Sequence, residues 1–250
     1  MPAVVTPALV IRRSDYSDYD RMVTLFSPER GRIDAIARGC RRPKSPLVNA
    51  VEPFTSGEYQ LYERKDRFSL EQCQISENFT GLREDYDKLR HGVYWLKLLD
   101  TAILPETPMP DLFMTTLRAL AHLSYGELPL ALTTMAYEMH FMALNGLAPQ
   151  MHACVRCGRP IDGDAHFDAE LGGAVCLQCP TAAPFVTNGA RRIMMKLPRT
   201  AFDKYVLVDG HPNWPEAARL FREYVNLRMR MERFAPELPP ESTDAAEREE

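Results

Sequence analysis

No stretch of this 250-residue sequence approaches the roughly 20 apolar residues that a membrane-spanning helix needs. The N-terminal VVTPALVIRR is too short for a signal peptide, and its charge follows the apolar run instead of preceding it; it reads as a first strand. There is no internal repeat, no phosphate-cradling glycine loop, no His-Glu metal pair and no Ser-His-Asp arrangement, so no catalytic residue is assigned. Cysteine is scarce outside one segment, with four of the six lying between Cys154 and Cys179. Without a secretory signal the expected location is the cytoplasm, where thiols stay reduced and clustered cysteines favour a metal over disulfides.

What is present describes an α+β, multidomain protein. Up to about residue 80 the segments ALVIRR, RMVTLFS, RIDAIARG, GEYQLYER and RFSLEQCQI are short and rich in branched and aromatic residues. In RIDAIAR, Ile33, Ala35 and Ala37 fall on one face, and Asp34, Ile36 and Arg38 on the other. Turn chemistry separates the segments, so residues 1–80 are expected to form a five-stranded barrel of the oligonucleotide/oligosaccharide-binding (OB) type. After Asn78 the period lengthens to that of a helix, with Leu82, Tyr86, Leu89, Val93, Leu96 and Leu99 along one stripe. Further helices are expected from Asp111, from Pro129 to Asn145-Gly146, and over the stripe Leu220, Tyr224, Leu227 and Met231, making 81–235 a helical domain. The stretch 236–250 has Pro239, Pro240 and a surplus of acids, and is expected to be a disordered tail. The chain's net charge of −4 resides there; the remainder is close to neutral.

Cys154, Cys157, Cys176 and Cys179 form two Cys-x-x-Cys pairs, expected to sit in an insertion over 150–181. Two residues between thiolates let both sulfurs reach one ion, and four thiolates satisfy tetrahedral zinc with no coordination position open. One structural Zn2+ is therefore expected, with a bracing role; an iron–sulfur cluster or a redox pair shares the spacing. Cys40 and Cys73 read as small buried side chains. Between Arg30 and Lys44 the sequence places Arg30, Arg32, Arg38, Arg41, Arg42 and Lys44 against Asp34 alone. On a small barrel such residues either line a groove that tracks a single-stranded backbone, with Tyr16, Tyr19, Phe26, Tyr59, Tyr62 and Phe68 as possible stacking faces, or form a solvated basic face.

The segments YDRMVTLFSPERGRIDAIARGCRRPKSPL, the following VEPF, and AYEMHFMALNGLAPQMHACVRCG resemble, in order and separation, the family of the bacterial DNA repair and recombination mediator RecO. That resemblance implies an N-terminal OB barrel, a helical C-terminal domain and, in many members, a zinc-binding insertion. It implies a non-enzymatic, nucleoid-associated protein that binds single- and double-stranded DNA and has no small-molecule substrate. Such a protein anneals strands coated by single-strand DNA-binding protein and helps its partner RecR to load RecA. By position, the basic barrel surface maps to Arg38, Arg41, Arg42 and Lys44, with Arg30 and Arg32 as helpers. Two other classes stay open: a zinc-braced nucleic-acid-processing enzyme, marked by chelator-sensitive turnover, and a protein-interaction scaffold whose basic stretch meets an acidic partner.

Overall fold

Strand alternation in the first 80 residues translates directly into a closed barrel. In the computed structural model, which describes residues 3–65 and 67–237, the strands are β1 (Ala3–Asp15), β2 (Arg21–Ser27), β3 (Gly31–Ala37), β4 (Ser56–Arg64) and β5 (Arg67–Glu77). They close in the order β1-β2-β3-β5-β4; β1 pairs β4 antiparallel, and β3 meets β5 in a short parallel seam through Ala35–Phe68 and Ile36–Ser69. Ile33, Ala35 and Ala37 point into the core with Val23, Leu25 and Leu61, while Asp34 and Arg38 face outward, as period-two patterning requires. The long β3–β4 connection supplies Cys40, Leu47, Ala50 and Val51 to the same core. Tyr59 pins that connection from inside the barrel, its hydroxyl donating to the Ala50 carbonyl at 2.9 Å.

Two of the following helices pack on the barrel. The stretch expected as one helix is broken at Asp85 into α1 (Gly81–Glu84) and α2 (Tyr86–Ala102). Asp85 is extended, and its carboxylate caps α2 by accepting the Asp87 and Lys88 amides at 2.8 and 3.0 Å. The break resets the helical phase. His91, Trp95, Leu98 and Leu99 are buried, whereas Tyr86 and Val93 of the expected stripe are exposed. Asp100 of α2 receives Arg12 at 3.6 Å and Arg32 at 2.9 Å, and Phe113 of α3 (Pro110–Tyr125) meets Phe26 of β2 edge-on at 5.5 Å. These contacts explain why the chain divides into compact units at 125/126, whereas the change of periodicity suggests a boundary near 80.

The second unit contains α4 (Leu130–Leu144), a small sheet of β6 (Ala165–Asp168), β7 (Gly173–Val175) and β8 (Phe185–Val186), then α5 (Asn188–Lys196), two 3-10 turns (Leu197–Arg199, Phe202–Leu207) and α6 (Trp214–Met229). Glu138 of α4 and Arg222 of α6 form a buried ion pair at 2.7 Å. Leu220 and Tyr224 are buried as expected, but Leu227 is exposed and the helix ends before Met231, at a left-handed Arg230. Among the described residues no helix is long and apolar enough to cross a membrane. Of the tail expected at 236–250, residues 238–250 lie outside the described residues.

Candidate nucleic-acid interface and metal knuckle

The six cations of the basic stretch do not act together. Arg32 lies between Asp34 and Asp100, both at 2.9 Å, and Arg30 reaches Glu106 at 3.3 Å. Burial alone pushes the Asp34 carboxyl up, but hydrogen bonds from Arg32 and Thr24 hold it below its ordinary value. The charges of Arg30 and Arg32 are thus already answered within the fold. The other four belong to the loop after β3, which the β1–β2 turn positions. The Arg41 amide donates to the Tyr19 carbonyl and its guanidinium to the Ser17 carbonyl and to Asp15. Asp20 accepts the Gly39 amide at 2.8 Å, and this bond is the leading cause of its lowered carboxyl pKa. Gly39, at φ +63°, permits the turn. Arg38, Arg42 and Lys44 are exposed and have no ion pair among the described residues. Arg42 lies over the Tyr19 ring at 5.1 Å, a cation–π contact that keeps its charge at the surface.

Beside this loop a cleft of about 900 Å³ straddles the β3–β5 seam, lined by Ile36, Phe68 and Ser69 and bordered by Tyr16, Tyr62 and Arg38. Its far wall is the β4–β5 hairpin, which contributes Arg64, Lys65 and Arg67. The sequence reading missed these three. Their signal was present in YERKDRF, but Glu63 and Asp66 mask it in a local charge count. Of the expected stacking aromatics, Phe26 and Tyr59 are core residues, whereas Tyr16, Tyr19 and Tyr62 are exposed.

In the second unit the four cysteines converge, their sulfurs all within 4.8 Å of one another. The Cys154–Cys179 and Cys157–Cys176 sulfurs lie 3.9 and 3.8 Å apart, within hydrogen-bond reach and with no disulfide between them. Gly158, at φ +74°, closes the first knuckle, its amide donating to the Cys154 carbonyl. The β6–β7 hairpin, turning at Gly172, returns the chain to the second, and Val155 is tied to Ala174 by a backbone bond. Burial raises the Cys154 thiol, yet the amides of Cys176, Cys157 and Arg156 bring it down to about 6; its neighbours push Cys179 up to about 12. Opposed shifts of this kind follow from thiols held within hydrogen-bonding distance of one another. The cluster includes neither His152, which is exposed, nor His166, whose Nδ1 lies 2.9 Å from the Ala183 carbonyl oxygen.

Two arginines that sequence reasoning did not single out bind this module to the helices. Buried Arg191 of α5 donates to the carbonyls of Gly163 and Met151, and Arg228 of α6 to those of Ala169 and Glu170. Asp168 of β6 accepts the Leu171 amide and lies 3.9 Å from Arg156.

The fold and sites define an OB-type barrel protein with a helical part that carries a four-cysteine knuckle. The family model "Recombination protein O N terminal" matches residues 1–79 and "Recombination protein O C terminal" matches 83–233. A protein named DNA repair protein RecO from Desulfitobacterium hafniense (strain DSM 10664 / DCB-2) is 34% identical over 204 residues, covering 79% of this chain and 74% of the relative. Another so named, from Anaeromyxobacter sp. (strain K), is 30% identical over 96% of this chain and 98% of its own length. The chain belongs to the recombination protein O family.

Proposed function

We propose that this chain works in DNA repair and recombination as a non-catalytic mediator that binds DNA and anneals complementary strands. The observation that carries this reading is the set of exposed cations Arg38, Arg42 and Lys44, joined by Arg41, held by backbone bonds at one edge of an OB-type barrel. Two strands resist pairing because their phosphates repel. Cations that bridge both backbones lower that repulsion and release counterions, so binding weakens steeply with salt. Arg30 and Arg32 serve the fold in this reading. The partners the family implies are single-strand DNA-binding protein, whose coated strands are the substrate, and RecR, with which the protein assists RecA loading. The work divides between a DNA-binding barrel over 1–80 and a helical domain over 81–235, in the cytoplasm at the nucleoid.

The knuckle's ion in this reading is zinc. Bonds of about 2.3 Å at the tetrahedral angle put sulfurs roughly 3.8 Å apart, close to the spacings here. A multi-iron cluster would hold its thiolates wider. Cys154, Cys157, Cys176 and Cys179 fill all four positions, so the ion supplies folding free energy and no reactive water.

The test is annealing of complementary oligonucleotides coated with single-strand DNA-binding protein, followed by fluorescence without nucleotide. The parent protein is expected to accelerate duplex formation. Changing Arg38, Arg41 and Arg42 together to Glu should abolish the acceleration while the circular-dichroism melt stays unchanged. A parent that fails to anneal from low to physiological salt overturns the mediator reading.

A further inference from the structure

A cleft of about 550 Å³ lies in the second unit, lined by none of the four cysteines. One wall is the face of α5 on which Arg192 and Lys196 stand one helical turn apart, with Ile193 beside them. The other wall comes from the second 3-10 turn and the loop after it, through Lys204, Leu207, Val208 and His211. Arg192, Lys196 and Lys204 are exposed and have no ion pair among the described residues, and no acid is among the residues lining the cleft. Leu207 is 77% exposed. Phosphate alone calls for no such apolar lining, and a purely hydrophobic ligand calls for no cluster of cations. The pattern suits an acidic peptide that carries apolar residues.

Such a peptide is present in the chain itself. Residues 238–250 carry Glu241, Asp244, Glu247, Glu249 and Glu250 against Arg248, with Ala245 and Ala246 set between acids. The chain is also led toward the cleft. It reverses at left-handed Arg230, and by Pro236 it has returned along α6 to Arg222, whose guanidinium donates to the Pro236 carbonyl at 2.7 Å. The cleft meets α6 at its N-terminal end, through Asn213, about 13 Å from Arg222 along the helix. Fully extended, residues 238–250 cover about 40 Å, well over that span. We propose that residues 238–250 dock in cis on this cleft, their acids on Arg192, Lys196 and Lys204 and their alanines against Ile193, Leu207 and Val208. Exposed ion pairs are weak one by one, but a segment tethered beside its site meets it at an effective concentration of about 1 mM. A pairing of about 0.1 mM therefore keeps the cleft covered about nine-tenths of the time. Docked, the segment neutralises the three cations and withholds them from any other polyanion, and salt releases it.

The experiment treats the full-length protein with a zero-length carbodiimide crosslinker, which joins a carboxyl to an amine in contact with it, and maps the monomer band by peptide mass spectrometry. At low salt, Lys196 or Lys204 should be joined to acids within 241–250. These products should disappear at about 1 M salt, where the screening length falls to about 3 Å. As a second readout, a glutamate-specific protease should cut after Glu241 and Glu247 about tenfold faster when Arg192→Glu, Lys196→Glu and Lys204→Glu are combined, because the docked segment is free only about a tenth of the time. The three side chains are exposed, so the circular-dichroism melt should not move. The crosslinks are read on the parent and decide the matter whether or not the variant folds. Products that join 241–250 to other lysines and not to these two, or that occur only in a dimer band, overturn the proposal. So does an equal cutting rate in parent and folded variant.

Discussion

Single residues in this protein are decided by what answers their charge. Arg32 and Arg42 are both arginines of one basic segment, yet Arg32 sits between Asp34 and Asp100 while Arg42 lies across Tyr19 with its charge available. His140 shows the same logic for a titrating group. Its ring stacks on Phe202 at 5.2 Å, its Nε2 lies 3.0 Å from the Thr200 carbonyl, and burial holds its pKa below the ordinary value. The unfolded chain therefore takes up the proton first as pH falls. Stability from the neutral ring is complete above about pH 6.5 and is lost as the pH drops below it. Melting temperatures measured from pH 7.5 to 5.5 should fall, and His140→Gln, which keeps a donor for the carbonyl but does not titrate, should flatten that slope. An unchanged slope in the variant would place the acid sensitivity elsewhere.

At the scale of elements, positions are held where backbones approach closely. The β2–β3 turn ends at Gly31, at φ +61°, where the following amide, of Arg32, donates to the Leu104 carbonyl at 3.1 Å. A Cβ there would strike the Leu104 oxygen and lie 2.6 Å from that of Thr107, in a backbone conformation that L-residues rarely adopt. Gly31→Ala is expected to cost about 2 kcal/mol or more by urea unfolding, with the midpoint shifted and the slope kept. The gap between the expected and observed faces of α2 belongs to this scale too. Asp85 is a good N-cap, and once it starts a new helix the stripe drawn through Leu82, Tyr86 and Val93 no longer lies on one side. The capping residue was visible in the sequence, but an uninterrupted helix fitted the apolar spacing as well.

For the whole molecule, a four-cysteine knuckle changes what stability depends on. Structural zinc contributes apparent free energies of about 10–16 kcal/mol in small metal modules, as much as the net stability of an ordinary domain. Arg191 and Arg228 bond the module to α5 and α6, so loss of the metal should reach the helices. Changing Cys154 and Cys157 together to Ser should lower the melting temperature by more than about 10 °C. Plasma mass spectrometry should fall from one zinc per chain to none. The DNA affinity of the fraction that remains folded should change little. A selective loss of DNA binding at an unchanged melting temperature would refute the bracing role.

Much of the architecture could be read before any coordinates. Ile33, Ala35 and Ala37 alternate with Asp34, Ile36 and Arg38, and a strand has only two faces, so the buried one was determined locally. The paired Cys-x-x-Cys spacing likewise pointed to four sulfurs that converge and could hold one metal ion, because two residues between thiolates let each pair reach a common point. Tertiary structure alone decided which cations remain available, since one of the two carboxylates that answer Arg32 stands 68 residues away on α2 and the one that answers Arg30 is Glu106. It also decided the cleft, which draws Tyr16, Arg38, Tyr62 and Arg67 from four separate strand ends. Periodicity reports whether a side chain faces inward or outward; which distant charge or ring it meets there depends on barrel closure, where loops far apart in the chain become neighbours.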